Sequence, residues 1–154
     1  MATKQTQEDG ILRLKAALKA KKPDNLYVLF GEEDYLRTYY LQMLQKQLVT
    51  GAASSFNYHR FSAQNITIDA LEDALEALPM MAERTMIQVD DWDFFKLPEV
   101  QRNRLAAILE DLPEYACLVL LYDTLPYKPD KRMKKLYAAL TQRGVQVEFR
   151  RQNQ

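Results

Sequence analysis

Two short apolar runs constrain this chain more than anything else in it. Residues 26–30 (Leu-Tyr-Val-Leu-Phe) and 116–122 (Ala-Cys-Leu-Val-Leu-Leu-Tyr) are too short for buried helices and lack polar alternation, so each reads as a strand covered on both faces. Strands of that kind belong to parallel sheets, and parallel neighbours require crossover connections, usually helices. The remaining sequence supplies helix patterns in the right places. Ile11, Leu14 and Leu18 repeat at helical spacing before Pro23-Asp24, and Leu36, Tyr40, Met43, Leu44 and Leu48 mark a helix starting near Tyr35.

Polar residues 51–55 lead to a second strand over 56–61, with Phe56, Tyr58 and Arg60 alternating against Asn57, His59 and Phe61. Thr67 suits an N-cap, Asp69 favours the positive helix end, and Ile68, Leu71, Leu75 and Leu78 form one apolar stripe that should stop near Pro79. A third strand over 85–89 ends at Asp90-Asp91. Pro98 fits the first turn of a helix carrying Leu105, Ile108, Leu109 and Leu112, closed by Pro113. A last helix over 130–143 turns Met133, Leu136, Tyr137 and Leu140 inward, and Gly144 ends it before a fifth strand over 145–149. The alternation predicts an α/β fold: a three-layer αβα domain with a five-stranded, mainly parallel sheet.

At 154 residues the chain has the size of one domain. Acidic and basic residues balance at 21 each, so no overall field draws it to nucleic acid or an anionic membrane. The single cysteine, Cys117, lies inside an apolar run and reads as a small core residue in a reducing compartment. Residues 1–10 are polar, with no signal-like core, and no later stretch reaches membrane-spanning length. The expectation is a soluble cytoplasmic protein without a membrane partner.

The first strand runs into Gly31-Glu32-Glu33-Asp34 and then into a helix, which is the layout of a phosphate-binding loop. Three carboxylates and no lysine would repel the phosphates this layout suits. No nucleophile, histidine or second convergent carboxylate accompanies them, so a solvated helix-starting turn is the simpler reading, and no cofactor or metal is expected. Asp90-Asp91 after Met86-Ile87-Gln88-Val89 resembles a magnesium-binding strand end, but without a phosphate loop it reads as vestigial or structural. His59 reads as structural. Trp92, Phe94 and Phe95 form either a sticky loop or a cover over the sheet end.

Four segments taken together resemble the N-terminal domain of the delta subunit of bacterial DNA polymerase III. They are Tyr27-Val28-Leu29-Phe30-Gly31-Glu32-Glu33-Asp34-Tyr35-Leu36, Phe56-Asn57-Tyr58-His59-Arg60-Phe61, Leu78-Pro79-Met80-Met81-Ala82-Glu83-Arg84, and Lys128-Pro129-Asp130-Lys131-Arg132 leading through Lys135-Leu136-Tyr137 to residues 144–149. The resemblance implies a AAA+-like module without a working ATP site, acting in a clamp loader that opens the sliding clamp. It also implies partners in that clamp, in other loader subunits and in primed DNA. Related subunits are longer, with lid and collar domains, so residues 1–154 are expected to be the N-terminal domain of a longer protein.

Leu78, Pro79, Met80 and Met81 form the principal candidate site. Adjacent methionines cannot share one narrow helical stripe, so at least one should face outward, although inward packing is the ordinary fate of methionine. In the resembling subunits two large apolar residues at the positions of Met80 and Met81 insert into a pocket on the clamp, and the flexible thioether suits such a pocket. Lys128, Lys131, Arg132, Lys134 and Lys135 make a basic patch that is either a solvated helix face or a nucleic-acid or partner contact. Two other functions remain open: a nucleotide-binding α/β enzyme with a degenerate phosphate loop, and a generic interaction module using the basic last helix.

Overall fold

The apolar runs become neighbouring inner strands of one fully parallel sheet. In the computed structural model, which describes residues 4–51 and 54–151, the strands are β1 (Leu26–Phe30), β2 (Tyr58–Ser62), β3 (Thr85–Asp90), β4 (Ala116–Leu121) and β5 (Val145–Glu148). Their order is β2-β3-β4-β1-β5, with Leu26 opposite Leu118 and Tyr27 opposite Val145. Parallel pairing forces each connection across a face of the sheet. α1 (Lys4–Lys19) precedes β1, and the helices in the connections are α2 (Asp34–Leu48), a short α3 (Ser54–Asn57), α4 (Ile68–Glu76), α5 (Glu99–Glu110) and α6 (Lys134–Arg143).

Side-chain alternation along the strands divides the core in two. Tyr27, Leu29, Cys117, Val119 and Leu121 pack under α1 and α2 against Leu14, Leu18, Tyr40, Leu44 and Leu48. Leu26, Val28, Ile87, Val89, Leu118 and Leu120 meet α4, α5 and α6 through Leu71, Leu105, Leu109, Leu136 and Leu140. This is the expected three-layer arrangement. Cys117 is wholly buried, and burial pushes its thiol up to about 12, as befits an inert core residue.

Three local expectations fail. Residues 54–57 are helical, so β2 begins only at Tyr58; Phe56 is exposed and Asn57 buried, the reverse of the strand pattern. The last helix begins at Lys134 rather than 130, because Asp130 accepts from the backbone N–H of Arg132 and from its guanidinium, holding residues 130–133 in a turn. Leu78 leaves the α4 stripe: the helix ends at Glu76, two residues before the segment restricted by Pro79, and Leu78 is exposed.

Trp92, Phe94 and Phe95 cover the end of the sheet. Their rings gather with Tyr122 and Tyr127, and the Tyr122 hydroxyl donates to the Trp92 carbonyl at 2.6 Å. Tyr127 also lies 5.0 Å from Phe30, pinning the β4–α6 connection onto the end of β1.

At the end of β1 the chain passes under β5. Gly31 has φ +118, and a Cβ there would stand 2.3 Å from the Phe149 carbonyl oxygen. Gly51 also has positive φ, +83, but nothing lies within 4 Å of its Cβ position. Gly31→Ala should therefore destabilise the domain by well over about 1 kcal/mol, the scale for an alanine forced to positive φ. Gly51→Ala should cost only that backbone term. Urea melts of the two variants measure the difference; equal midpoints would show that the β5 backbone yields freely.

Candidate protein-interaction site

The place where a phosphate would sit is filled by the chain itself. Only Gly31, Glu32 and Glu33 separate β1 from α2, whereas a phosphate-binding loop needs roughly eight residues to wrap its ligand. The Glu33 N–H donates to the Phe149 carbonyl at 2.9 Å, and its carboxylate caps α2 by accepting from the Tyr35 N–H. A carboxylate thus occupies the helix end that would otherwise attract an anion. Sequence reasoning missed Arg37, which is 2 % exposed directly behind the turn. It donates to the Gly31 carbonyl and, at 2.8 Å each, to Asp34 and Asp123. Among the described residues, Arg37 is the buried cation near the turn, and it is committed to the protein's own acceptors.

Asp90 and Asp91 are equally committed. Asp90 accepts from Arg60 at 2.7 Å and from Gln88 at 2.8 Å. Asp91, at φ +55, accepts from the N–H groups of Asp123, Thr124 and Leu125 and from the Thr124 hydroxyl, all within 3.0 Å. Burial pushes the Asp91 pKa up, but the hydrogen bonds from Leu125, Asp123 and Thr124 outweigh it and hold the carboxyl below its usual range. Among the described residues, no three His, Cys, Asp or Glu side chains converge as a metal site. A recess of about 1060 Å³ touches Lys21, Lys22, Lys46, Glu83, Arg84 and Glu114, but it lies beside the N-terminal ends of β1, β3 and β4. Open α/β sheets bind ligands at the opposite edge.

The segment joining α4 to β3 has a different character. The Ala77 N–H closes the helix on the Asp73 carbonyl, and the Tyr115 hydroxyl donates to the Glu76 carbonyl at 2.9 Å. At the far end, Arg84 donates to the carbonyls of Pro23 at 2.6 Å and Tyr115 at 3.3 Å, tying the return of the chain to the sheet edge. Between these anchors the Asn57 side chain grips Met80: the Met80 N–H donates to Oδ1 and Nδ2 donates to the Met80 carbonyl, both at 2.7 Å. Met81 is left-handed, φ +54, a conformation that costs a residue with a Cβ on the order of 1–2 kcal/mol.

The outcome is an anchored turn with apolar side chains in water. Leu78 is 76 % exposed, Met80 48 % and Met81 87 %, while Pro79 is half-buried. Asn57 was invisible to strand patterning. Asparagine is disfavoured inside strands, and that was the only sequence signal that it does something else.

Lys128, Lys131, Arg132, Lys134 and Lys135 are all exposed, but only the last two are helical. Arg132 pairs with Asp130 through two bonds of 3.0 and 2.8 Å, which reduces the patch's net charge and holds the Asp130 carboxyl below its usual range. The patch spans the β4–α6 connection and the first turn of α6, at the C-terminal edge of the sheet. The methionine turn precedes β3, at the N-terminal edge. The fold thus keeps the two candidate surfaces on opposite edges.

Comparison with known proteins gives the family. The profile of the family DNA polymerase III, delta subunit, matches residues 27–150. The chain belongs to this family. A DNA polymerase III subunit delta from Bacillus subtilis is 27% identical over 144 residues, which cover 89% of this chain and 40% of that protein. Among solved structures, the Bacillus subtilis DNA clamp loader delta protein superposes with a TM-score of 0.76 at 23% identity, covering 93% of this chain and 43% of the other. A Thermotoga maritima protein related to the DNA polymerase III gamma subunit gives 0.57 at 18% identity, covering 91% of this chain and 46% of its own. The Thermotoga maritima RuvB variant R170A gives 0.51 at 16%, covering 97% and 45%. At these identities the structural likenesses bear on the fold, and they agree with the AAA+-like architecture. The chain spans about two fifths of the length of the delta subunit relatives.

In this delta-family domain Asp91 is a lock on the β4 loop, and that has a pH signature. A carboxyl held below its unfolded value of roughly 3.9 contributes stability above that pH and loses it as pH falls through the lower, folded value. Asp91→Asn should lower the melting temperature at pH 7, and the gap to wild type should narrow below about pH 4. Calorimetry across pH 3–7 tests this; a gap independent of pH would assign the loss to geometry alone.

Proposed function

We propose that this domain binds the sliding clamp of DNA polymerase III and favours its opened form, with Leu78, Pro79, Met80 and Met81 as the contact. The observation that carries this reading is two adjacent methionines, 48 % and 87 % exposed, on a turn fixed by hydrogen bonds at Glu76, Met80 and Arg84. Anchored exposure of large apolar groups suits insertion into a partner's pocket, since little ordering entropy remains to be lost on binding. Burying a methionine contributes roughly 1.5–3 kcal/mol, so the pair can supply the anchor of a transient interface. A partner shifts a conformational equilibrium only by its differential affinity for the two states. The methionines therefore open the clamp only to the extent that their pocket is better formed in the opened state.

The domain acts by binding and catalyses nothing itself, in keeping with the three-residue turn after β1 and the committed Arg37. Other loader subunits and primed DNA are partners of the complete assembly, and the setting is the cytoplasm. Clamp-loader membership favours this reading over a nucleotide-dependent enzyme, because the acid-capped turn disfavours a triphosphate.

The test is titration of the purified chain against the sliding clamp of the same organism. Met80→Ala with Met81→Ala should weaken binding roughly 10- to 100-fold, equivalent to about 1.4–2.8 kcal/mol. Lys134→Ala with Lys135→Ala should leave it unchanged. If the lysine pair alone matters, the basic edge is the contact and the methionine reading falls.

A further inference from the structure

Asn57 does more than hold one turn. It is the last residue of α3, and the residue before it, Phe56, is 61 % exposed. A buried asparagine that gives and takes a hydrogen bond with the same main-chain unit acts like a strand partner, fixing both spacing and orientation. Through it, two segments separated by 23 residues in sequence are tied together: the end of α3, next to Phe56, and the turn carrying Leu78, Met80 and Met81. Other large apolar side chains are exposed, including Leu12, Tyr35 and Val100, but these lie on α1, α2 and α5. Phe56 instead adjoins Asn57, whose side chain holds Met80.

From this geometry we infer that Phe56 is a third apolar anchor of the same binding surface and that Asn57 is the positioning residue that joins it to Met80 and Met81. The inference rests on the clamp-binding reading and deepens it. The occupant is then a protein surface with an apolar pocket wide enough for a phenyl ring beside two thioethers, rather than a narrow slot for the methionines alone. An exposed aromatic ring on a fixed backbone has few rotamers to lose and a large area to bury, the combination found at interface hot spots. The left-handed Met81 fits the same picture, since the grip on Met80 holds the backbone on its N-terminal side.

Three measurements test this. Titrated against the sliding clamp, Phe56→Ala should weaken binding about tenfold with an unchanged melting temperature, because the ring is exposed in the free domain. Asn57→Ala should weaken binding by a similar factor in the native background but by less than about twofold when Met81→Ala is already present, the non-additivity expected of a residue that acts through its neighbour. In the free domain, hydrogen exchange at the Met80 amide should be slow in the wild type and fast in Asn57→Ala. Where Asn57→Ala fails to fold, Asn57→Asp keeps the acceptor for the Met80 N–H and removes the donor to its carbonyl, and the same comparisons apply. If Met80→Ala with Met81→Ala loses binding while Phe56→Ala does not, or if Asn57→Ala is fully additive with Met81→Ala, this inference is wrong and the methionine contact survives. If the wild-type domain does not bind the clamp, both fall together.

Discussion

The carbonyl oxygen of Phe149 stands where a side chain on Gly31 would be, and much of the molecule follows from that contact. It brings the chain after β5 against the end of β1, so that the Phe149 N–H reaches the Phe30 carbonyl and the Glu33 N–H returns to Phe149. The helix after β1, α2, then begins after only three residues, capped by Glu33 and backed by Arg37. In a nucleotide-binding relative of this architecture, this is the region that opens around phosphates. Here the turn is three residues long, held by backbone hydrogen bonds to Phe149 and capped by Glu33.

The opposite edge carries the exposed apolar groups of the methionine turn. The turn between α4 and β3 is pinned by main-chain and side-chain hydrogen bonds that leave its apolar groups facing out. Exposing Leu78, Met80 and Met81 forgoes burial energy in the isolated domain, and holding Met81 left-handed adds strain. Burial of these groups on a partner would recover the first term. The buried Asn57 amide that holds Met80 directly follows the exposed Phe56 in sequence, which is why the proposed surface extends to that ring.

Much of this could be read from the sequence, for identifiable reasons. Strands covered on both faces leave unbroken apolar runs, and amphipathic helices leave stripes, so Leu26–Phe30, α2 and α5 were legible. Thr67 caps α4 as its side chain predicts, accepting from the Ala70 N–H. The failures lie where side chains hydrogen-bond to the backbone. Asp130 bends the chain before α6, residues 54–57 coil into a helical turn above β2, and Leu78 slips off its stripe once Ala77 ends α4. Such bonds reach a few residues along the chain or across the fold, and hydrophobic periodicity does not register them.

The candidate site divides in the same way. Sequence alone determined that no lysine serves the turn after β1, that two methionines follow a proline beyond the α4 stripe, and that family resemblance runs through both segments. Tertiary structure decided that both methionines point to solvent, that Arg37 is buried and committed, and that Asn57 holds Met80 from 23 residues away. Local pattern fixes which face of an element is apolar. Only the packed chain determines whether a polar atom finds its partner on another segment, because burial leaves an unpaired amide or guanidinium too costly to tolerate.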